Sequence, residues 1–323
     1  MILIGDNKQL QATTFGKNQL YKRSLFERIS QNQIEPYFLN KQYRMQPYLS
    51  LFPSQIFYKG NLKDSKKVQK RPFLFKSFLN ENYSHFFIDI QFSKEIQNKS
   101  SFFNLEEAYL CISLVSEIIS LLEKNQFPSN NLTIGVIAPY SQQVQCLKNL
   151  FRQQNWYLIY RKIIKIKTID SFQGQEKDII IFSTVRTSRI GFLQDEKRLN
   201  VALTRAKYCL YVVGNSNCLN KDFFWDSFIG FMSEQGKYGQ ILEKDNLLSN
   251  TGALILQGLI SKGIRSLYKK KNKDKSIIQQ GDQNQDQVIT NNQDKKSGIS
   301  LVDALSYYEI HNFTLCDLKQ LIN

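Results

Sequence analysis

The sequence predicts an α/β fold: a parallel sheet with helices on both faces. Three features carry that prediction. Near-continuous apolar runs of strand length recur along the chain, amphipathic helical segments separate them, and polar residues follow the carboxyl ends of the runs. A short run that is apolar throughout reads as a strand buried on both faces, and the helices between such runs supply the crossovers that parallel strands require. Ligands of sheets of this kind lie beyond the carboxyl ends of the strands.

The elements follow in order. Met1 to Ile4 reads as a strand leaving through Gly5 and Asp6; a strand needs neighbours, so this one is expected to lack the rest of its sheet. Ser24 to Ser30 reads as a short helix, and Gln42 to Tyr58 as a polar and aromatic connector containing Pro47 and Pro53. Phe86 to Ile90 is a strand. Asn104 is placed to cap a long amphipathic helix ending near Glu123, with Glu106 and Glu107 in the first turn, where the helix dipole favours carboxylates. Leu132 to Ala138 is a further strand and Ser141 to Arg152 a helix. Lys165 to Ile169, Ile179 to Val185 and Cys209 to Val213 are strands, and Arg198 to Lys207 a helix. In that last helix, about 100° per residue puts Leu199, Ala202, Leu203 and Ala206 on one apolar face. Arg198 and Arg205 then share an adjoining stripe, roughly 10 Å apart. Lys269 to Ser297 is polar with almost no large apolar residue and reads as disordered linker, while Leu301 to Ile322 regains the spacing of one or two short helices.

Composition narrows the class. At 323 residues and 42% hydrophobic, the chain suits one large domain with appendages or two small ones. Forty-three Lys and Arg against 28 Asp and Glu leave a net charge of +15, which favours polyanionic partners. The five cysteines form no CxxC pair and read as free thiols of a reducing compartment; two histidines argue against a His-based metal site. No signal peptide and no 18-residue apolar span is found, so an intracellular protein of nucleus or cytoplasm is expected, without a membrane partner.

Six segments are specific enough to name a family. ILIGDNKQL (2–10), QYRMQPYL (42–49), FPSQIFYKGNL (52–62), IGVIAPYSQQV (134–144), TIDSFQGQEKDIIIFSTVR (168–186) and RLNVALTRAK (198–207) together resemble the superfamily 1B helicases of the nonsense-mediated decay and senataxin type. The resemblance covers roughly residues 1 to 230 and implies a RecA-like sheet. It implies that Arg205 is an arginine finger, that Arg44 is a second γ-phosphate ligand and that Gln9 is a sensor. Guanidinium suits such work because it is always charged and bridges two oxygens. An amide suits a sensor because it both donates and accepts.

By the same resemblance, Gly174 and Glu176 stand at the nucleotide and Tyr43 is the ring beside the adenine; Gly5 permits the backbone turn and Asp6 holds a neighbour of the metal site. Alternatives stay open: Arg44 as a surface ion pair in a polar loop, Gln9 as an exposed loop residue, Tyr43 packing against Met45, and Gly5 and Asp6 as simple turn residues. Pro139, Tyr140, Thr168, Asp170 and Ser171 fall on the nucleic-acid track, although the last three also suit ordinary strand-end capping. Ala138 stands where the family often has a hydroxyl, and Gln11 and Ala12 stand where prolines are common.

A whole motor of this type also needs a GxxxxGK[ST] loop and an acidic pair at a strand end to hold Mg²⁺. Neither occurs: Gly16-Lys17 and Gly236-Lys237 are followed by Asn18 and Tyr238, Asp195-Glu196 follows a turn, and Glu106-Glu107 opens a helix. The expectation is therefore a remnant of the first RecA-like domain (1–47), the second RecA-like domain (48–248), a basic, largely disordered linker (249–298) and a short helical tail (299–323). ATP and Mg²⁺ are expected to bind only together with a first motor domain in cis, and the isolated chain is expected not to hydrolyse ATP. Single-stranded RNA or DNA is the expected partner. The alternative is a degenerate, non-catalytic module that binds nucleic acid or protein. Lys269 to Lys275 reads as a solvated linker, a nuclear address or a phosphate-gripping tail.

Overall fold

A computed structural model describes residues 2–12, 23–32, 36–76, 84–128 and 132–241. The chain divides into two compact units, Met1–Ile264 and Arg265–Asn323, and all described residues belong to the first. The linker and tail expectations, the Lys269–Lys275 stretch and Cys316 lie outside the described residues.

Ser24 caps α1 (Leu25–Gln31), its hydroxyl accepting from the Glu27 N–H. Two short strands, β1 (Lys41–Gln42) and β2 (Lys63–Asp64), pair in parallel around α2 (Pro47–Tyr58). α2 corrects the connector reading. Leu49, Phe52, Pro53 and Phe57 recur at helical spacing and are buried, and Pro47 occupies the first turn, where its missing N–H costs nothing. The prolines masked a periodicity that was present. After α3 (Lys66–Gln69) and β3 (His85–Asp89), an unpredicted antiparallel hairpin, β4 (Glu95–Asn98) and β5 (Ser101–Asn104), leads into α4 (Leu105–Lys124). Asn104 caps α4 as expected, its side-chain oxygen accepting from the Glu107 N–H at 3.1 Å. β6 (Ile134–Ala138), α5 (Ser141–Arg152), α6 (Tyr157–Tyr160), β7 (Ile164–Thr168), β8 (Lys177–Ser183), α7 (Glu196–Leu203), β9 (Ala206–Gly214), α8 (Ser216–Leu219), α9 (Phe223–Glu234) and β10 (Tyr238–Gln240) complete the unit.

Six strands form one sheet in the order β10-β3-β9-β8-β6-β7, every pair parallel. Both faces are covered, as the apolar runs required. Phe87, Ile180, Phe182, Leu210 and Val212 join Phe52 of α2, Leu203 of α7 and Trp225 of α9 in one core cluster. Ile88, Ile179, Ile181 and Tyr211, of the opposite parity, are equally buried, and α4 and α5 pack on the sheet from that side.

Two expectations fail here. Residues 2–6 form no strand, and Ile2 is 89% exposed: among the described residues no strand lies beside them to satisfy their backbone. α7 ends at Leu203 with Thr204 as its C-cap, and the chain enters β9 at Ala206. Arg205 therefore stands between helix and strand, and the shared stripe with Arg198 does not exist. β9 gains ladder hydrogen bonds and two buried faces that one more helical turn would not supply.

Buried polar groups tie the helix starts to the sheet. The Glu107 carboxyl accepts from the Ser183 hydroxyl at 2.6 Å and the Val185 N–H at 2.8 Å. Gln143 donates to Ser183 Oγ at 3.0 Å and to the Asn104 carbonyl at 3.1 Å, and it accepts from the Asn104 N–H at 2.8 Å. Burial raises Glu107 to about 8, against the lowering hydrogen bonds of Ser183 and Val185. The clasp holds Val185 at φ 74°, a left-handed conformation that strains a β-branched residue by roughly 1–3 kcal/mol.

Candidate functional site

The loop before α2 is wound around one side chain. Gln42 Oε1 accepts from the N–H groups of Arg44 and Met45, both at 2.8 Å, while its amide donates to the Met45 carbonyl at 2.7 Å. Arg71 forks onto the carbonyls of Arg44 (2.6 Å) and Tyr43 (2.8 Å). This clamp aims Arg44 at the start of β8 and the end of α7: its Nε pairs with Glu176 at 2.7 Å, and its Nη1 donates to the Thr204 carbonyl at 3.1 Å.

Arg205 reaches the same Thr204 from the other side. Its Nη2 donates to Thr204 Oγ1 at 2.8 Å and to Gln9 Oε1 at 3.3 Å, and its Nε to the Val201 carbonyl at 2.9 Å. The side chain is 1% exposed, and among the described residues no carboxylate lies within ion-pair distance of it. Burial, with the charge of Arg44 next, lowers Arg205 to about 10. Glu176 also pairs with Lys207 at 3.1 Å. Burial raises its carboxyl, but hydrogen bonds and charges from Arg44 and Lys207 outweigh that and hold it below the ordinary value. Arg44 and Lys207 thus share one carboxylate and Arg205 pairs directly with none that is described, which leaves donor capacity for an incoming anion.

Gln9 joins this cluster from the amino-terminal segment. Its amide donates to Asp6 Oδ2 at 2.7 Å, the same oxygen that accepts from Tyr58 OH at 2.7 Å. Burial and then the Asp6 hydrogen bond raise Tyr58 to about 12. Asn200 Nδ2 donates to Tyr58 OH at 3.0 Å and to the Lys8 carbonyl at 2.8 Å, hooking the segment onto α7. Asp6 is thus a latch in a local turn, accepting the Lys8 N–H as well, and among the described residues no group of three metal-ligating side chains forms. Gly5 is not left-handed; a Cβ there would lie 3.2 Å from the Phe26 ring, so space and not turn freedom constrains it. Gly174 does sit at φ +77° with open space around it. Tyr43 is 60% exposed, which sets aside packing against the buried Met45.

The expected nucleic-acid residues divide. Thr168 and Ser171 lie together at the carboxyl end of β7, their hydroxyls 2.6 Å apart. Asp170 is held by Arg198 at 2.9 and 3.2 Å, an arginine that Asp195 also pairs. Pro139 is half-buried. Tyr140 corrects the stacking reading: at 4% exposure its ring is enclosed, edge-on to Phe102 and stacked at 5.2 Å on Phe192. Gly191 makes room for it, since a Cβ there would come within 2.5 Å of the Tyr140 hydroxyl. The exposed ring of this stack is Phe192, at 55%. Sequence reasoning missed Phe192, and also Tyr58, Asn200, Thr204 and Lys207, although the last four sit inside the quoted segments.

The parallel sheet with helices on both faces is a RecA-like α/β fold, and on it two arginines converge on one threonine at the helix-to-strand junction. The chain matches the family described as AAA domain over residues 21–217 and belongs to it. Within it the chain belongs to the family of superfamily 1B helicases of the nonsense-mediated decay and senataxin type, corresponding to the C-terminal half of their motor. It is 38% identical over 238 residues to the helicase sen1 of Schizosaccharomyces pombe, covering 71% of this chain and 14% of that protein. It is 35% identical over 278 residues to the regulator of nonsense transcripts 1 of Dictyostelium discoideum, covering 80% of this chain and 20% of that protein. An uncharacterized ATP-dependent helicase of Methanocaldococcus jannaschii is 34% identical over 258 residues, covering 76% of this chain and 37% of that protein. The chain thus spans between 14% and 37% of the length of these relatives. Among the described residues, no helix is long and apolar enough to cross a membrane.

Proposed function

We propose that the chain is the C-terminal motor half of an ATP-dependent RNA or DNA helicase, with residues 48–248 as its second RecA-like domain and 1–47 as the end of the first. One observation carries the reading: Arg44 and Arg205 meet at Thr204, and Arg205 is buried with no described carboxylate paired to it. A buried guanidinium left without a counter-charge is costly, and an arriving triphosphate supplies the missing anion. ATP, bound with Mg²⁺ by a GxxxxGK[ST]-bearing domain that faces this one, supplies the phosphoanhydride whose hydrolysis drives the motor. This chain's part is positioning and charge neutralisation: Arg205 gives up the Gln9 oxygen to reach the γ-phosphate, Arg44 follows from its pair with Glu176, and Gln9 is freed to orient water. Gly174 and Glu176 border the nucleotide, and the exposed Tyr43 ring offers a face to a base.

Single-stranded nucleic acid passes the rim of Pro139, Thr168 and Ser171, with Phe192 taking the stacking role that Tyr140 cannot. A nuclear or cytoplasmic setting follows from this reading. The test is hydrolysis. The chain alone is expected to show no multiple-turnover ATPase, and the chain joined to a P-loop-bearing domain is expected to show RNA-stimulated turnover. Stimulated turnover by the chain alone overturns the division of labour; none in the joined protein leaves the non-catalytic module.

A further inference from the structure

The rim at Thr168 and Ser171 does not end the basic surface. β7 is the edge strand of the sheet, and between it and α5 runs a groove of about 590 Å³. Thr168 and Ser171 line it together with Val144 and Lys148, Arg152 and Lys167. Val144, Lys148 and Arg152 are spaced four apart and so lie on one stripe of α5, which extends the groove by roughly 12 Å along that helix.

Among the described residues, none that lines the groove is acidic. Lys148 and Arg152 are exposed and make no ion pair with a described carboxylate, and among the described residues the Lys167 ammonium hydrogen-bonds only Gln175 Oε1, at 3.5 Å. Cations crowd nearby as well. Burial and then Lys165 lower the Lys177 ammonium, with Lys207 and Lys167 adding to the repulsion against the opposing charge of Asp178. A surface with this surplus takes a polyanion.

Two kinds of polyanion fit a groove beside an edge strand: a nucleic-acid strand, or an acidic peptide that adds to β7. Lysines at 165 and 167 are the residues that discourage strand addition at an edge. The hydroxyl pair at the groove's end is also continuous with the proposed nucleic-acid rim.

We propose that the α5–β7 groove is a phosphate track for a single nucleic-acid strand, in which Lys148 and Arg152 each contact a backbone phosphate once the strand has passed Thr168 and Ser171. This rests on the nucleic-acid reading of the rim. The test is the salt dependence of binding of the full chain to a fluorescein-labelled oligouridylate, followed by anisotropy.

Replacing Lys148→Gln and Arg152→Gln together is expected to reduce the slope of log K against log salt by about 1.4, at about 0.7 per lost phosphate contact on a single strand. Lys66→Gln with Lys67→Gln on α3, an equal loss of charge elsewhere, is expected to leave the slope unchanged. A wild-type slope in the groove variant overturns the track while the rim reading stands. Equal losses in both variants reduce the effect to net charge and also overturn it. A groove variant that loses polyglutamate binding but keeps its oligouridylate slope assigns the groove to an acidic peptide and overturns it too. A wild-type chain that binds no oligouridylate removes the rim reading and the track together. The substituted side chains are exposed, so unchanged thermal unfolding is expected and separates these outcomes from misfolding.

Discussion

Two polar clusters lie in the same unit and are built on opposite terms, one fully buried and the other open to solvent around the buried Arg205. Around Glu107, the strong donors and acceptors answer one another: Asn104, Gln143, Ser183 and Val185 close a ring of hydrogen bonds inside the protein. Around Arg205, Arg44 and Lys207 share Glu176 while Arg205 leans on a carbonyl, a hydroxyl and a glutamine. Among the described residues, Asn200 Oδ1 beside the open cluster has no hydrogen-bond partner, and neither has Thr184 Oγ1 beside the closed one. A closed network spends its polar groups on holding shape, whereas an open one keeps binding capacity for something that arrives. The first holds the scaffold, and the second is the cluster proposed above to receive a phosphate.

The largest expected effect breaks the open cluster. In the chain joined to a P-loop-bearing domain, Arg205→Ala is expected to lower the RNA-stimulated hydrolysis rate by about 10³-fold or more. Arg205→Lys should recover little of it, because an ammonium lacks the bidentate fork. Steady-state ATPase assays decide this, and a loss below tenfold would place Arg205 among structural arginines.

Next comes the closed cluster. Glu107→Ala leaves the Ser183 hydroxyl and the Val185 N–H without their acceptor, a cost of about 1–3 kcal/mol for each group stranded. The midpoint of thermal unfolding is expected to fall by roughly 4–24 °C, and an unchanged midpoint would mean that the clasp contributes nothing.

The third prediction concerns pH. Glu107 has a folded pKa of about 8, above its unfolded value, so between about pH 4.5 and 8 the native state holds a proton that the unfolded state has released. Stability from this group is full below the unfolded pKa and is lost as pH rises, by up to about 1.4 kcal/mol per pH unit. Glu107→Gln should flatten that decline in urea unfolding measured at pH 5 and pH 8; parallel curves for the two proteins would contradict it.

The smallest effect sharpens the contrast. Glu176→Gln removes the carboxylate from a partly exposed pair, so the stability change is expected to be about 1 kcal/mol or less. It leaves Arg44 and Lys207 unpaired and should raise the affinity of the chain for inorganic triphosphate. Unchanged triphosphate affinity, read by calorimetry, would argue that the open cluster has no spare capacity.

Much of this was legible without coordinates. The Asn104 cap, the α4 and α5 spans and the buried parallel strands were readable because local propensity, capping chemistry and apolar runs all pointed one way. α2 was not read, because two prolines outweighed a helical apolar spacing that tertiary packing then honoured. The hairpin of β4 and β5 was missed because four residues per strand give too little alternation to count. Arg205 was drawn into a helix because LNVALTRAK is helical by local preference. Only the ladder with β8 and β3 ends that helix at Thr204.

The sequence by itself determined the parallel α/β class, the family and the residue types suited to phosphate, since these are written in spacing and chemistry along the chain. Tertiary structure alone decided which groups meet. Arg44, Glu176 and Thr204 are joined across 132 and 160 positions, Tyr140 is enclosed while Phe192 is left open, and Glu107 is sealed from water. Contact and burial depend on how distant segments pack, and no local pattern encodes that.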